Sequence, residues 1–68
     1  MKINNKIKQY REKIGLTQKQ AATKSGVTER MFQHYEAGTK EPSATKIIRI
    51  AEALDTKVEK LYETPTTV

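Results

Sequence analysis

The chain has 68 residues, no cysteine and a formal net charge of +5 at pH 7. A chain of this length forms one small domain, and without cysteine it has neither a disulfide framework nor a thiolate zinc site. No apolar run approaches membrane-spanning length and no signal peptide is recognisable, so the sequence predicts an intracellular soluble protein, expected in the cytoplasm.

The positive charge is concentrated in the N-terminal part of the chain. Residues 1–26 carry a net charge of +6, residues 27–49 carry +1, and residues 50–68 carry −2. This distribution suits a polyanionic partner such as a nucleic acid. An ordinary solvated lysine surface gives the same composition, so charge alone does not decide between the two interpretations.

The first predicted helix begins at Asn4 or Asn5, since either residue is a suitable N-cap. Its apolar residues recur at helical spacing and predict a buried face, formed by Ile7, Tyr10 and Ile14. Gly15 ends this helix, and Leu16 is expected to pack at the junction that follows. Ile3 adds one more turn to the apolar face if an ordered arm reaches that far.

Residues 17–38 predict two short helices joined by a tight turn. Thr17 and Gln20 form a capping box at the start of the first of them. Gly26 allows the chain to turn, because glycine tolerates φ > 0. Thr28 is a good N-cap for the second helix, which ends at Gly38. Two helices across a short glycine-containing turn form a helix-turn-helix, whose second helix enters the DNA major groove.

The C-terminal third predicts two further helices. Ser43 caps a fourth helix, whose half-buried face is formed by Ile47, Ile50, Ala51 and Leu54. Asp55 occupies the turn after it. Thr56 and Glu59 predict another capping box, which opens a short fifth helix. Residues 64–68 show no periodicity, so the predicted domain spans residues 1–63 and ends in a loose tail.

These segments together resemble the phage-repressor helix-turn-helix family of the Cro/CI or Xre-like type. The resemblance covers residues 6–62 and rests on residues 10–16, Thr17-Gln18, Ala22, Gly26-Val27-Thr28, Phe32, Tyr35-Glu36, Gly38, Glu41-Pro42-Ser43, Ile47, Ile50, Ala51, Ala53, Leu54 and residues 58–62. The sequence departs from the family at Ala21 and Ser25, where many relatives carry larger aliphatic residues. This departure predicts thinner packing of the second helix.

The resemblance implies an all-α, compact five-helix repressor-like bundle with its helix-turn-helix in helices two and three. It also implies a sequence-specific double-stranded DNA-binding transcription regulator. By this resemblance, the protein is expected to be a repressor that binds a pseudo-palindromic operator as a homodimer. Its recognition helix, at about 28–36, would lie in the major groove. A prokaryotic or phage-encoded protein that is associated with the nucleoid when bound fits this family.

The resemblance assigns the contacts with bases to four residues of the third helix: Glu29, Arg30, Gln33 and His34. The chemistry suits this role, because the arginine fork matches guanine O6 and N7, and glutamine matches adenine N6 and N7. Glutamate accepts from cytosine N4. The alternative interpretation is an ordinary solvated helix face.

Contacts with the DNA phosphates are expected from a second set of residues: Gln18, Lys19, Thr28, Thr39 and Lys40. Gln18 matches the family's anchor at the start of helix two, where the helix N-terminus also favours an anion. Such contacts position a protein on DNA without reading its sequence. For the two lysines alone, a purely solvated role is an equal alternative.

Two structural roles complete the predictions. By resemblance, Arg11 pairs with Glu36 and ties helix one to helix three, the alternative being two unpaired surface charges. The dimer contact is assigned to Val58, Leu61 and Tyr62, the alternative being that these residues close the monomer core. Ile3 and the tail could add a small strand pairing at the same interface.

A second function class is a protein-interaction module, such as an antitoxin or adaptor that keeps the fold, with a toxin or polymerase as its partner. Such a module would expose an apolar patch, and the sequence shows none beyond the last helix. An enzyme is not expected, because one histidine, no cysteine and no paired carboxylates form no catalytic constellation. No cofactor and no metal site are expected either.

Overall fold

The computed structural model describes residues 5–62. The described chain folds into five α-helices, which are α1 (Ile7–Lys13), α2 (Gln18–Ser25), α3 (Glu29–Ala37), α4 (Ala44–Ala53) and α5 (Val58–Leu61). No strand occurs between residues 5 and 62. The predicted all-α architecture, with a helix-turn-helix formed by α2 and α3, is therefore confirmed.

Several predictions lie outside the described residues. The tail at 64–68 and both ends of the predicted domain, 1–63, fall there. The same holds for Asn4 as a cap and for the strand pairing that involves Ile3.

Local capping sets the helix boundaries. The Thr17 hydroxyl accepts from the backbone N–H of Gln20 at 3.0 Å, and Gln20 Oε1 accepts from the backbone N–H of Thr17 at 2.9 Å, so the predicted capping box opens α2. The hydroxyls of Thr28 and Ser43 accept in the same way from the third residue of α3 and of α4. At α1, Asn5 Oδ1 accepts from the backbone N–H of Ile7 at 3.0 Å.

The turns after α2 and α3 depend on left-handed glycines. Gly26 has φ +74° and Gly38 has φ +77°, conformations that other residues adopt only with strain. After Gly26, the backbone N–H of Val27 donates to the carbonyl of Ala22 at 3.0 Å, which closes the helix end as a Schellman motif. The sequence predicted both of these turns.

The core lies where α2, α3 and α4 meet. Its buried side chains are Ile7, Ala21, Ala22, Phe32, Tyr35, Ile47, Ile50, Ala51, Leu54 and Leu61. The main contacts of α2 are with α4 and α3, and its small buried residues allow this close approach. Ser25 is 1% exposed, and its hydroxyl donates to the carbonyl of Ala21 at 2.7 Å. Residues 5–62 contain no buried side-chain polar atom without a hydrogen-bond partner, and the thin packing predicted around α2 stays a prediction.

Two local predictions are wrong. Ile14 does not belong to the buried face of the first helix, because α1 ends at Lys13 and leaves Ile14 42% exposed. The capping box of Thr56 and Glu59 does not form. The N-cap of α5 is Lys57, without a side-chain bond, while the backbone N–H of Thr56 donates to a carbonyl at the end of α4.

The prediction of Leu61 as a dimer contact also requires correction. Its side chain is fully buried within the single chain, at 0% exposure. Its backbone carbonyl accepts from the N–H of Lys6 at 2.8 Å, which joins the end of α5 to the start of α1. Leu61 therefore closes the monomer core, as the alternative interpretation had it.

Within the described chain, no helix is long and apolar enough to cross a membrane.

Candidate nucleic-acid interface

The outer face of α3 forms an open concavity of about 680 Å³. It is lined by Glu29, Arg30, Gln33, His34, Ala37 and Thr39. The structure therefore brings all four residues predicted to contact bases to one surface. The opposite face of α3 carries Phe32 and Tyr35, which are buried and hold the helix against the core.

Glu29 and Arg30 occupy the exposed first turn of α3. Within residues 5–62, neither side chain has a hydrogen-bond or ion-pair partner. The guanidinium of Arg30 therefore keeps all its donors available for an external acceptor. The carboxylate of Glu29 lies at the helix N-terminus, where the helix dipole favours a negative charge.

A chain of hydrogen bonds links the α3 surface to α1 and α2. Gln33 Nε2 donates to Gln18 Oε1 at 3.3 Å, and Gln18 Nε2 donates to Glu36 Oε1 at 2.8 Å. Arg11 Nε donates to Glu36 Oε2, and Arg11 Nη1 donates to the carbonyl of Leu16 at 2.8 Å. Because an ionised carboxylate can only accept, Gln18 must turn its Nε2 toward Glu36. Its Oε1 then faces Gln33, which must donate through Nε2. As a result, Gln33 Oε1 has no partner within residues 5–62 and can act as an acceptor.

The network changes the interpretation of Gln18. The sequence predicted a phosphate anchor, whereas the half-buried side chain uses its oxygen on Gln33 and its nitrogen on Glu36. Only the second Nε2 hydrogen and the backbone at the start of α2 remain for an anion. Gln18 is thus a bridge between the helices as well as a candidate anchor.

Arg11 and Glu36 form the ion pair expected from the sequence. Their side chains are 11% and 5% exposed, so the pair is shielded from water. It joins α1 to α3 directly. Asn5, which precedes α1, adds a second tie to α3, because its Nδ2 donates to the carbonyl of Tyr35 at 2.9 Å.

The other residues predicted to contact phosphates are all exposed: Lys19, Thr28, Thr39 and Lys40. Because the Thr28 hydroxyl accepts a bond at the start of α3, its own hydrogen remains free to donate. Thr39 differs from the other three, because its hydroxyl lies 2.9 Å from Nδ1 of His34.

Sequence reasoning missed the contact between Thr39 and His34. The signal was present, because a left-handed glycine at a helix end returns the next residue over the last turn. Here Gly38 is that glycine, and the backbone N–H of Thr39 donates to the carbonyl of His34 at 3.1 Å. The pairing of the two side chains follows from this backbone geometry.

Val58 and Tyr62 are half-buried and pack against the core at the end of the described chain. Burial, and then the negative charge of Glu41, raise the pKa of the Tyr62 phenol above its ordinary value. Part of each side chain remains accessible, in contrast to Leu61.

Among residues 5–62, no group of three or more His, Asp or Glu could hold a metal ion.

Comparison with known proteins agrees with the helix-turn-helix fold. A family model described as helix-turn-helix matches residues 7–61. The cryptic phage CTXphi transcriptional repressor RstR of Vibrio cholerae is 31% identical over 61 residues, which are 90% of this chain and 54% of that protein. The chain thus spans about half the length of this curated relative.

Two solved structures are also similar. The restriction-modification controller protein C.AhdI from Aeromonas hydrophila has a TM-score of 0.80 and 28% identity, over 84% of this chain and 86% of that chain. The N-terminal DNA binding domain of SinR from Bacillus subtilis has a TM-score of 0.79 and 27% identity, over 91% of both chains.

Proposed function

This chain belongs to the helix-turn-helix family, and we propose that it is a transcription regulator that binds double-stranded DNA in a sequence-specific manner. We propose that it acts as a repressor, as the RstR relative does, which is a transcriptional repressor. The family is one of transcription regulators rather than enzymes, in agreement with the sequence-based prediction. Because a repressor acts on DNA, we also propose a location in the cytoplasm of a prokaryotic cell, at the nucleoid when the protein is bound.

The observation that carries this proposal is the composition of the α3 surface. Arg30 is exposed and unpaired within the described chain, Gln33 presents a free carbonyl oxygen, and both line one concavity. Donors and acceptors at the outer face of a helix match the base edges that the major groove exposes. We therefore assign the base contacts to Glu29, Arg30, Gln33 and His34.

Phosphate contacts would hold this helix in the groove. The N-terminus of α2 offers backbone N–H groups beside Gln18, and the start of α3 offers the hydroxyl hydrogen of Thr28. Lys19 and Lys40 add positive charge in exposed positions. The net charge of +6 on residues 1–26 supports binding to a polyanion.

We further propose a two-fold homodimer on a pseudo-palindromic operator. A dimer places two copies of α3 in successive turns of the major groove, with half-sites roughly 34 Å or a multiple apart. Val58 and Tyr62 are the candidates for the contact between the copies, because their side chains are only half-buried in one chain. Leu61 supports this surface from within the core.

The decisive experiment is selection of binding sites from random duplex DNA, followed by titration of the winning site at several salt concentrations. We expect a two-fold-symmetric site, with an affinity that falls steeply as salt increases, because bound phosphates release counterions. The same titration on an unrelated duplex measures non-specific binding. The specific site should bind at least about 10³-fold more tightly.

Weak binding that is indifferent to sequence would contradict the proposal. In that case the basic surface would be only a solvated face, and the search would turn to a protein partner such as a toxin. If the selected site were asymmetric and sedimentation showed one protein molecule per DNA duplex, the proposal of DNA binding would stand and the proposal of a homodimer would be wrong.

A further inference from the structure

We propose that Thr39 is a positioning residue that fixes His34 as a hydrogen-bond donor toward DNA. The inference rests on the proposed function for its biological role, but its structural part concerns the free protein alone. It assigns to Thr39 a task other than the phosphate contact expected from the sequence. It also specifies which kind of DNA atom His34 recognises.

The geometry centres on the end of α3. Thr39 Oγ1 lies 2.9 Å from Nδ1 of His34 and 3.3 Å from the carbonyl oxygen of the same residue. A threonine hydroxyl has one hydrogen to donate, so it can serve only one of these two acceptors at a time. The position of that hydrogen determines the tautomer of the imidazole ring.

The carbonyl oxygen of His34 is already crowded. It accepts from the backbone N–H of Gly38, from that of Thr39 at 3.1 Å and from that of Lys40 at 3.4 Å. A carbonyl has two lone pairs, so the hydroxyl at 3.3 Å would be a fourth donor. The ring nitrogen at 2.9 Å has no other partner among the described residues. The hydrogen of Thr39 is therefore assigned to Nδ1.

This assignment decides the state of the other ring nitrogen. A neutral imidazole whose Nδ1 accepts must carry its hydrogen on Nε2. An imidazolium carries hydrogens on both nitrogens, and Nδ1 would then donate to Thr39 Oγ1. In both states Nε2 is a donor, and within residues 5–62 it has no partner. His34 lines the α3 concavity beside Arg30 and Gln33.

A donor at Nε2 restricts what His34 can contact. It fits an acceptor atom of DNA, such as guanine O6 or N7, thymine O4 or a phosphate oxygen, and it does not fit the amino group of cytosine or adenine. Gln33 beside it presents both an acceptor and a donor, because its Oε1 has no partner among the described residues and its Nε2 uses one of its two hydrogens on Gln18. Gln33 can therefore contact either kind of base atom, whereas His34 selects acceptors.

The tautomer can be measured directly in the free protein. His34 is the one histidine of the chain, so the ¹⁵N resonances of its ring need no assignment among several histidines. At a pH where the ring is neutral, we expect Nδ1 to show the shift of an unprotonated nitrogen and Nε2 that of a protonated one. In Thr39→Val, the two ¹⁵N shifts should move toward each other. Without the hydroxyl, the ring is expected to exchange between its two neutral tautomers, so that each nitrogen is protonated part of the time. Thr39→Ser retains a hydroxyl and should preserve the separation.

Thr45→Val is the matched control, because it makes the same change at an exposed threonine of α4 that does not contact His34. It should leave the ring shifts unchanged. A protonated Nδ1 in the unsubstituted protein would overturn the assignment. Equal shifts in Thr39→Val and in Thr45→Val would overturn the role of Thr39, and neither result depends on DNA.

The contribution to DNA binding is tested by a double-mutant cycle on the selected site. Thr39→Val should weaken binding roughly two- to tenfold, the range expected for one hydrogen bond. It should add little in a His34→Ala background, because Thr39 acts through the ring. A loss confined to one base position identifies a base acceptor, whereas a loss uniform across sequences identifies a phosphate.

Additive losses in this cycle would mean that Thr39 contacts DNA by itself, and they would overturn the positioning role. If the protein bound no duplex DNA while the NMR result held, the proposed function would fail and the tautomer assignment would stand. The two failures are therefore distinguishable.

Discussion

Replacing Arg11 by alanine should destabilise the fold strongly, because Arg11 neutralises a buried carboxylate. The side chain of Glu36 is 5% exposed and accepts from Arg11 Nε and from Gln18 Nε2. Without the guanidinium, that charge keeps only the amide bond, and the carbonyl of Leu16 loses the donor at 2.8 Å. Water has little access to replace either contact.

The magnitude follows from the cost of breaking a buried ion pair from one side, which is about 3–5 kcal/mol. The remaining bond from Gln18 places this case at the lower end, at about 3 kcal/mol. A domain of this size has a total stability of roughly 3–10 kcal/mol. A loss of this size should lower the melting temperature by about 12–24 °C.

The assay is thermal and urea unfolding followed by circular dichroism. Lys8→Ala is the matched control, because Lys8 is an exposed cation on the same helix and its removal changes the net charge equally. We expect that variant to melt within a few degrees of the original protein, as surface substitutions cost little. The double variant Arg11→Met, Glu36→Met should be more stable than Arg11→Ala, because no buried charge remains unpaired.

Equal melting temperatures for Arg11→Ala and Lys8→Ala would refute the reasoning, since the ion pair would then contribute no more than a surface charge. A double variant as unstable as Arg11→Ala would show that the loss does not arise from the unpaired carboxylate, because methionine at position 11 retains most of the packing of the arginine stem.

Three further predictions concern single side chains. Arg30→Ala should weaken DNA binding by roughly 1–3 kcal/mol and relax the base preference at one position of each half-site. The control variant Lys57→Ala should keep that preference. If Arg30→Ala weakened binding equally for all sequences, Arg30 would be a phosphate contact instead. Leu61→Ala should lower the free energy of unfolding by about 2–5 kcal/mol in urea titrations at any protein concentration; unchanged stability with weaker self-association would restore the dimer assignment. Because the folded-state pKa of Tyr62 is raised by burial and by Glu41, the unfolded chain loses that proton first, so stability should fall above about pH 10. Tyr62→Phe should flatten this fall, and an identical pH profile would contradict it.

The helix boundaries and the helix-turn-helix could be predicted because their signals are local. Thr17 and Gln20 satisfy each other's backbone N–H groups within one turn, and Gly26 supplies the left-handed backbone that the turn requires. Such contacts join residues three to five apart, so they depend little on the rest of the fold. The α3 surface followed from the same logic, since Phe32 and Tyr35 fix which face is buried.

The error at Leu61 occurred because its environment is set by distant parts of the chain. Leu61 and Tyr62 are both large and apolar in character, and no local pattern shows that the first is buried and the second half-exposed. Only the packing of α5 against the start of α1 decides this. Ile14 fitted the helical period, but α1 ends one residue earlier and leaves its side chain in solvent.

The sequence by itself therefore determined the helices, their turns, the family and the exposed face of α3, because these follow from capping, periodicity and motif spacing. Apart from the pair of Arg11 and Glu36, which the family resemblance implied, only the tertiary structure decided which polar groups meet across helices. Gln18 of α2 bonds to both Gln33 and Glu36 of α3 because the two helices pack against each other there. Hydrogen bonds between groups far apart in the chain depend on how helices pack, and this information lies in no single stretch of sequence.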